Sequence, residues 1–283
     1  MSDPDVVERV ADLRGILDSA RAEGQRVGFV PTMGFLHEGH ASLMRRARAE
    51  SDVVLVSIFV NPLQFLPGED FEAYPRDLDR DLALCAGEGV DLVFHPPVEE
   101  MYPEPTTLTI TVGPIGEILE GKTRPGHFDG VATVVAKLFN IAGACRAYFG
   151  EKDAQQLVVI RKLAKQFNFP VDVVGCPTVR EPDGLGMSSR NVYLKGPERT
   201  AATALKRGLD LGARLIADGE RSGAKVAEAV AAVIRAESLA KLDYAACVDP
   251  ATFETAVEIA GATLLLVAAW VGKARLIDNV RVE

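Results

Sequence analysis

Val53-Val54-Leu55-Val56-Ser57-Ile58-Phe59-Val60 carries apolar side chains at odd and even positions alike. A strand covered on one face alternates; a strand buried on both faces, in the middle of a parallel sheet, does not. Residues 26–30, 90–94, 147–149 and 171–174 are further strand candidates. Helical patterns at 41–50, 77–87, 130–141 and 153–167 separate them. Such alternation predicts an α/β fold built on a doubly wound, mainly parallel, Rossmann-like sheet. Ligands of these sheets bind beyond the C-terminal ends of the strands. That singles out residues 31–40, 61–65 and 150–153.

The pattern changes near residue 178. The loop Glu181-Pro182-Asp183-Gly184-Leu185-Gly186 leads into Met187-Ser188-Ser189-Arg190-Asn191. Two alanine-rich amphipathic helices (197–218 and 222–237) and three strands (242–248, 264–270, 274–282) follow. The expected division is a Rossmann-like domain over 1–178 and a smaller C-terminal α+β domain over 179–283.

The net charge of −9 argues against broad nucleic-acid binding, which needs a basic surface. The N-terminus lacks the basic start and apolar core of a signal peptide. The apolar stretch 263–272 is too short to span a bilayer. Cys85, Cys145, Cys176 and Cys247 are scattered with no Cys-x-x-Cys spacing, which suggests neither a zinc site nor a redox pair. The expectation is a cytoplasmic protein with reduced thiols and no membrane association.

Pro31-Thr32-Met33-Gly34-Phe35-Leu36-His37-Glu38-Gly39-His40 runs from strand through a glycine-bearing turn into a helix. This order puts two imidazoles and several backbone N–H groups where a helix N-terminus can receive an anion. His-x-Gly-His in that setting points to nucleotidyl transfer from ATP. A zinc protease needs His-Glu-x-x-His, and here one intervening residue is missing.

Gly116-Glu117-Ile118-Leu119-Glu120-Gly121-Lys122-Thr123 formally fits the Walker A pattern. A working P-loop continues into a helix, whereas Arg124-Pro125-Gly126 follows here, and its two glutamates repel phosphate. It reads instead as a loop beside the site, with Lys122, Arg124 and His127 clustered. In Gly150-Glu151-Lys152-Asp153, glycine permits close approach, Lys152 offsets phosphate charge, and Asp153 caps a helix or accepts from a ribose hydroxyl. One of Gln155 and Gln156 can reach back into the cleft. Ser188, Ser189 and Arg190 can bind a triphosphate. Asn61 and Gln64, at a strand end, suit a small polar substrate. Each motif alone also has a plain structural reading as a turn, a cap or a surface group. The acidic run Asp70, Glu72, Asp77, Asp79, Asp81 reads as solvated surface.

Together these motifs, with Ile58-Phe59-Val60-Asn61-Pro62-Leu63-Gln64-Phe65, Gly68-Glu69-Asp70-Phe71, Tyr74-Pro75-Arg76 and Arg124-Pro125-Gly126-His127-Phe128, resemble the pantoate–β-alanine ligase family over nearly the whole chain. That family belongs to the His-x-Gly-His nucleotidyltransferases, and residues 187–190 resemble its second signature loop. The resemblance implies a two-step reaction. The carboxylate of (R)-pantoate attacks the α-phosphorus of Mg²⁺-bound ATP, giving pantoyl adenylate and pyrophosphate; the amine of β-alanine then displaces AMP.

Carried over by position, Met33, Gly34, Phe35, Leu36, His37, Glu38, Gly39 and His40 would bind ATP. Gly150, Glu151, Lys152, Asp153, Val179, Met187, Ser188, Ser189 and Arg190 would do so too. His40, His37, Lys152 and Arg190 would be catalytic, with Gln64 and Gln156 holding pantoate. The resemblance names no protein ligand for Mg²⁺. It implies a homodimer, for which residues 106–112 offer an edge strand. Ala154, Leu66 and Asp129 depart from or vary within the family pattern. Other adenylyl transferases, an aminoacyl-tRNA synthetase and a silent ATP binder are the competing readings.

Overall fold

Chain order in the first half is β1 (Asp5–Val7), α1 (Val10–Ala22), β2 (Val27–Thr32), α2 (Glu38–Glu50), β3 (Val53–Ile58), α3 (Leu78–Gly87), β4 (Leu92–Phe94) and the single-turn helices α4 (Val98–Met101) and α5 (Glu120–Thr123). Then come α6 (His127–Ala142), β5 (Cys145–Gly150), α7 (Ala154–Gln166) and β6 (Val171–Cys176). The computed structural model describes residues 3–65 and 71–283; Leu66 and Gly68-Glu69-Asp70 lie outside the described residues.

The chain divides into two compact units, Met1–Glu151 with Gln155–Pro177, and Lys152–Ala154 with Thr178–Glu283. In the first, the strands lie in the order β1-β4-β3-β2-β5-β6. Every pairing among them is parallel. Strand order runs outward from β2 through β3 to β4 on one side and through β5 to β6 on the other. The switch point therefore falls between β2 and β5, the place where sheets of this kind bind ligands beyond the strand C-termini.

One face of the sheet carries α2, whose Leu43, Met44 and Ala47 pack on Val30, Val54, Val56 and Ile58. Helix α6 packs against β2 and α1. It is buried on nearly every side, from Phe128 through Ala142, which explains its apolar composition all round. A Cβ at Gly130 of α6 would overlap the Leu63 carbonyl, so this glycine allows helix and turn to touch.

The second unit holds α8 (Pro197–Ala202), α9 (Ala204–Ala217), α10 (Gly223–Arg235) and an antiparallel sheet of β7 (Ala240–Val248), β8 (Thr263–Val271) and β9 (Ala274–Val282) in the order β7-β8-β9. Leu205 and Leu209 of α9, Val226, Val230 and Ile234 of α10, and Leu265, Val267 and Ala269 of β8 form its core. The expected helix at 197–218 is interrupted at Thr203. There both N–H and Oγ1 bond back to the Thr200 carbonyl, closing a 3-10-type turn.

Residues 106–112 form no strand, contrary to the expected edge. The Ile110 N–H donates to Thr133 Oγ1 and the Val112 N–H to Asp129 Oδ1, so side chains of α6 take the place of a neighbouring strand. No described helix is long and apolar enough to cross a membrane.

Candidate functional site

The chain leaves β2 at Thr32 and reaches α2 through Met33-Gly34-Phe35-Leu36-His37. Gly34 (φ +81°) and Phe35 (φ +50°) both lie in the left-handed region, which a non-glycine residue such as Phe35 adopts only under constraint. His37 is the N-cap of α2 and its Nδ1 accepts from the Gly39 N–H at 3.1 Å. His40 Nδ1 accepts from the His37 N–H at 3.2 Å. An acceptor Nδ1 in a neutral ring puts the proton on Nε2. The two rings lie 4.1 Å apart, tilted by 42°. Burial, with a smaller contribution from the His37 imidazole, pushes His40 down to about 3. At neutral pH His40 is a neutral Nε2–H donor rather than a cation.

The expected role of the turn's N–H groups needs correction. Gly34 N donates to Thr32 Oγ1, Phe35 N and Leu36 N to Asp81, His37 N to His40, Gly39 N to His37, and His40 N to the His37 carbonyl. These six donors already have partners within the protein.

Asp81 is the second correction. Expected as solvated surface, it is 1% exposed and accepts both N–H bonds at 2.7 Å. Asp77 is the N-cap of α3, accepting from the Arg80 N–H. Asp70 lies outside the described residues.

Gln64 ends a single 3-10 turn, Pro62–Gln64, beyond β3. It is buried; its Oε1 accepts from Asn61 Nδ2 at 3.2 Å and its Nε2 donates to Met33 Sδ at 2.7 Å. Its backbone is held from the start of α6 and from the turn before it. His127 Nδ1 donates to the Gln64 carbonyl at 2.9 Å, and Arg124 Nη2 donates to the same oxygen at 3.2 Å. Arg124 Nη1 lies 3.0 Å from His127 Nε2 and donates to it, which fixes the ring as the neutral Nδ1–H tautomer. So the first unit sets Gln64 against Met33, and His37 against His40, in the segments that follow β3 and β2, with Arg124 and His127 supporting Gln64.

Gln155 and Gln156 separate into two roles. Gln155 is buried, donating to the Ile115 and Ile118 carbonyls at 2.7 and 2.9 Å and accepting from Glu120 N at 3.1 Å. It fastens α7 to the 115–120 segment, which leaves the half-buried Gln156 as the one available to a substrate. The Walker-like segment starts at the last residue of a 3-10 turn (Gly113–Gly116) and ends in the single turn α5. A cavity of about 390 Å³ beside it sets Lys122 among the carboxylates of Glu117 and Asp129, a poor phosphate cradle.

Gly150 closes β5, and Glu151, Lys152 and Asp153 form a 3-10 turn into α7. In the second unit Asn279 Nδ2 donates to the Lys152 carbonyl at 2.8 Å. Arg180 bridges antiparallel to Gly186, and Met187 N donates to the Val179 carbonyl, forming a short hairpin before Ser188. Ser188 caps the turn Ser189–Tyr193 by accepting from the Arg190 N–H. Asn191 Nδ2 and Arg199 both reach Glu181, fixing the far side of the hairpin. The motifs identify Lys152 and residues 187–190. They miss Asp278, Asn279 and Arg180, which brace them, because none sits in a recognisable motif.

No group of three or more His, Cys, Asp or Glu among the described residues is placed to hold a metal ion.

Residues 5–281 match the family model described as pantoate-β-alanine ligase. The chain is 51% identical over 278 residues to the pantothenate synthetase of Caldicellulosiruptor bescii, covering 98% of this chain and 99% of that one. It is 51% identical over 279 residues to that of Moorella thermoacetica, covering 99% of both. The crystal structure of pantothenate synthetase from Thermus thermophilus superimposes with a TM-score of 0.92 at 49% identity, covering 98% of each chain. The pantoate-β-alanine ligase of Francisella tularensis, solved with beta-gamma ATP and β-alanine, gives 0.79 at 35% identity over 98% of this chain and 97% of that one. With the fold, the motifs and the full-length match agreeing, this chain belongs to the pantoate–β-alanine ligase family.

Proposed function

We propose that the chain joins (R)-pantoate to β-alanine at the expense of ATP, through pantoyl adenylate, releasing pyrophosphate and AMP. The observation that carries this reading is the placement of His37, His40 and Gln64 at the C-terminal ends of β2 and β3, in a chain matching the ligase family from residue 5 to 281. The complex of the Francisella tularensis relative with beta-gamma ATP and β-alanine supports the substrates.

The nucleophile of the first step is a carboxylate, ionised at neutral pH, so no general base is needed. The task is to bring two anions together, so positioning and charge compensation dominate the catalysis. His37 and His40 offer Nε2–H donors to the phosphates. Lys152, Arg190, Ser188 and Ser189 supply the remaining donors, and Mg²⁺ enters as part of the ATP substrate. Residues 33–40 and 150–153, Val179 and residues 187–190 contact the nucleotide. Gln64 and Gln156 hold pantoate. In the second step the β-alanine amine attacks the acyl carbon and AMP leaves. Because the adenylate hydrolyses, water must be kept from it.

On this assignment residues 1–178 bind nucleotide and pantoate, and residues 179–283 act as the lid that contributes Met187, Ser188, Ser189 and Arg190. A cytoplasmic homodimer belongs to the same proposal, with light scattering as its test. The test of the reaction is pyrophosphate–ATP exchange with Mg²⁺ and (R)-pantoate in the absence of β-alanine. Exchange that requires pantoate, followed by AMP and pantothenate on adding β-alanine, is the expected result. Well-folded protein that binds ATP yet shows no exchange overturns the reading.

A further inference from the structure

We propose that Asp81 is a positioning residue of the nucleotide site: its carboxylate fills the backbone nest of the Gly34-Phe35-Leu36 turn and holds His37 and His40 in register. The inference rests on the assignment of residues 33–40 to ATP binding.

Two successive N–H groups flanking left-handed backbone form a concavity suited to an anion. In this fold that concavity holds a protein carboxylate. Oδ2 accepts from Phe35 N and Oδ1 from Leu36 N, each at 2.7 Å, the short lengths of charge-assisted bonds. Both oxygens are used, one per donor. The fit is close: a Cβ at Gly34 would meet Asp81 Oδ2 at 3.0 Å. The preceding residue adds a second clasp, with the Arg80 guanidinium 4.7 Å above the Phe35 ring. Helix α3, 40 and more residues downstream, thus grips the turn both by its backbone and by its half-buried aromatic ring.

What the grip accomplishes follows from the chain order. Leu36 N is bonded to Asp81, and the next N–H, that of His37, is bonded to His40 Nδ1. Fixing Leu36 fixes the peptide that presents the His37 N–H, and that bond orients the His40 ring. A neutral side chain of the same size cannot do this. Asn offers one oxygen and one NH₂, so one of the two N–H groups faces another donor. The strained Phe35 conformation then relaxes and the imidazoles lose their setting.

The experiment is steady-state pyrophosphate–ATP exchange on Asp81→Asn and, in parallel, His40→Ala. Asp81→Asn should raise the KM for ATP by about tenfold or more, with kcat and the KM for pantoate within about threefold. A merely structural role would lower kcat with the folded fraction and leave the KM for ATP unchanged, which would overturn the inference. If His40→Ala raises the KM for ATP and Asp81→Asn does not, the Asp81 role alone fails. If neither does, the assignment of residues 33–40 fails with it. Should Asp81→Asn not fold, the wild-type protein decides. The Phe35 and Leu36 amide protons should stay far downfield and protected from exchange when ATP is added; loss of that protection overturns the proposal.

Discussion

Asp278 on β9 receives both terminal nitrogens of Arg180, Nη1 at 2.7 Å and Nη2 at 2.9 Å, with the aspartate side chain 1% exposed. The same guanidinium donates to the carbonyls of Gly184 and Asn279. One bidentate pair therefore fastens the hairpin that leads to Ser188 onto the C-terminal strand. Removing one member of a buried pair leaves the other charged and unpaired. Asp278→Asn should lower the unfolding free energy by about 3–5 kcal/mol. Urea denaturation measures it; a loss below about 1 kcal/mol would mean that the pair is not buried as described.

Adjacent glutamines should behave oppositely. Gln155→Ala removes three hydrogen bonds from a buried joint and should cost about 1–3 kcal/mol of stability with both KM values unchanged. Gln156→Ala should leave stability within about 0.5 kcal/mol and raise the KM for pantoate. Thermal melts and exchange kinetics on the two variants check this, and an effect on pantoate from Gln155→Ala would reverse the assignment.

His40 gives a signed pH dependence. Its folded-state value, about 3, lies below the ordinary 6.5, so between those limits the unfolded chain binds more protons. The contribution is complete above about pH 6.5 and is lost as pH falls toward 3, with a slope of at most about 1.4 kcal/mol per pH unit. Stability of the wild type should therefore fall more steeply from pH 6 to pH 4 than that of His40→Gln. The His40 ring resonances should not titrate between pH 8 and 5, and a midpoint near 6.5 would refute the neutral-donor role.

Gly130 tests the support beneath Gln64. The added methyl of Gly130→Ala would run into the Leu63 carbonyl and displace the 62–64 turn from α6. A shift of that order at a substrate-positioning group should raise the KM for pantoate by about tenfold or more, with the KM for ATP little changed. Competitive kinetics in both substrates make the comparison.

The central strands are legible because their apolar runs allow little else. β3 is read from Val53 onward, and β9 is found at its observed limits. β1 and α1 escape notice: Asp5-Val6-Val7 is too short to show a period, and it becomes a strand only through its pairing with β4. Residues 106–112 err the other way. Their β-branched alternation is real, but Thr133 and Asp129 accept the N–H bonds that a neighbouring strand would have taken. Asp81 is misread for a general reason. A carboxylate among other acidic residues looks like surface, and the two N–H groups that bury it lie some 45 residues away in the chain. Motifs announce the groups that face a substrate; they are silent about the groups behind them.

Lys152–Ala154 group with the C-terminal unit although the residues on either side, Glu151 and Gln155, group with the first. The three-residue island is fastened there through Asn279, 127 positions downstream. A gene cut at the 177/178 junction would thus yield two fragments, neither self-sufficient: one carries Lys152 without its brace, the other the brace without its lysine. Because the acceptor is a main-chain carbonyl, any residue at 152 can receive the bond, so halves shuffled between relatives, by recombination or by an engineer, keep the brace as long as the tail brings an asparagine at 279.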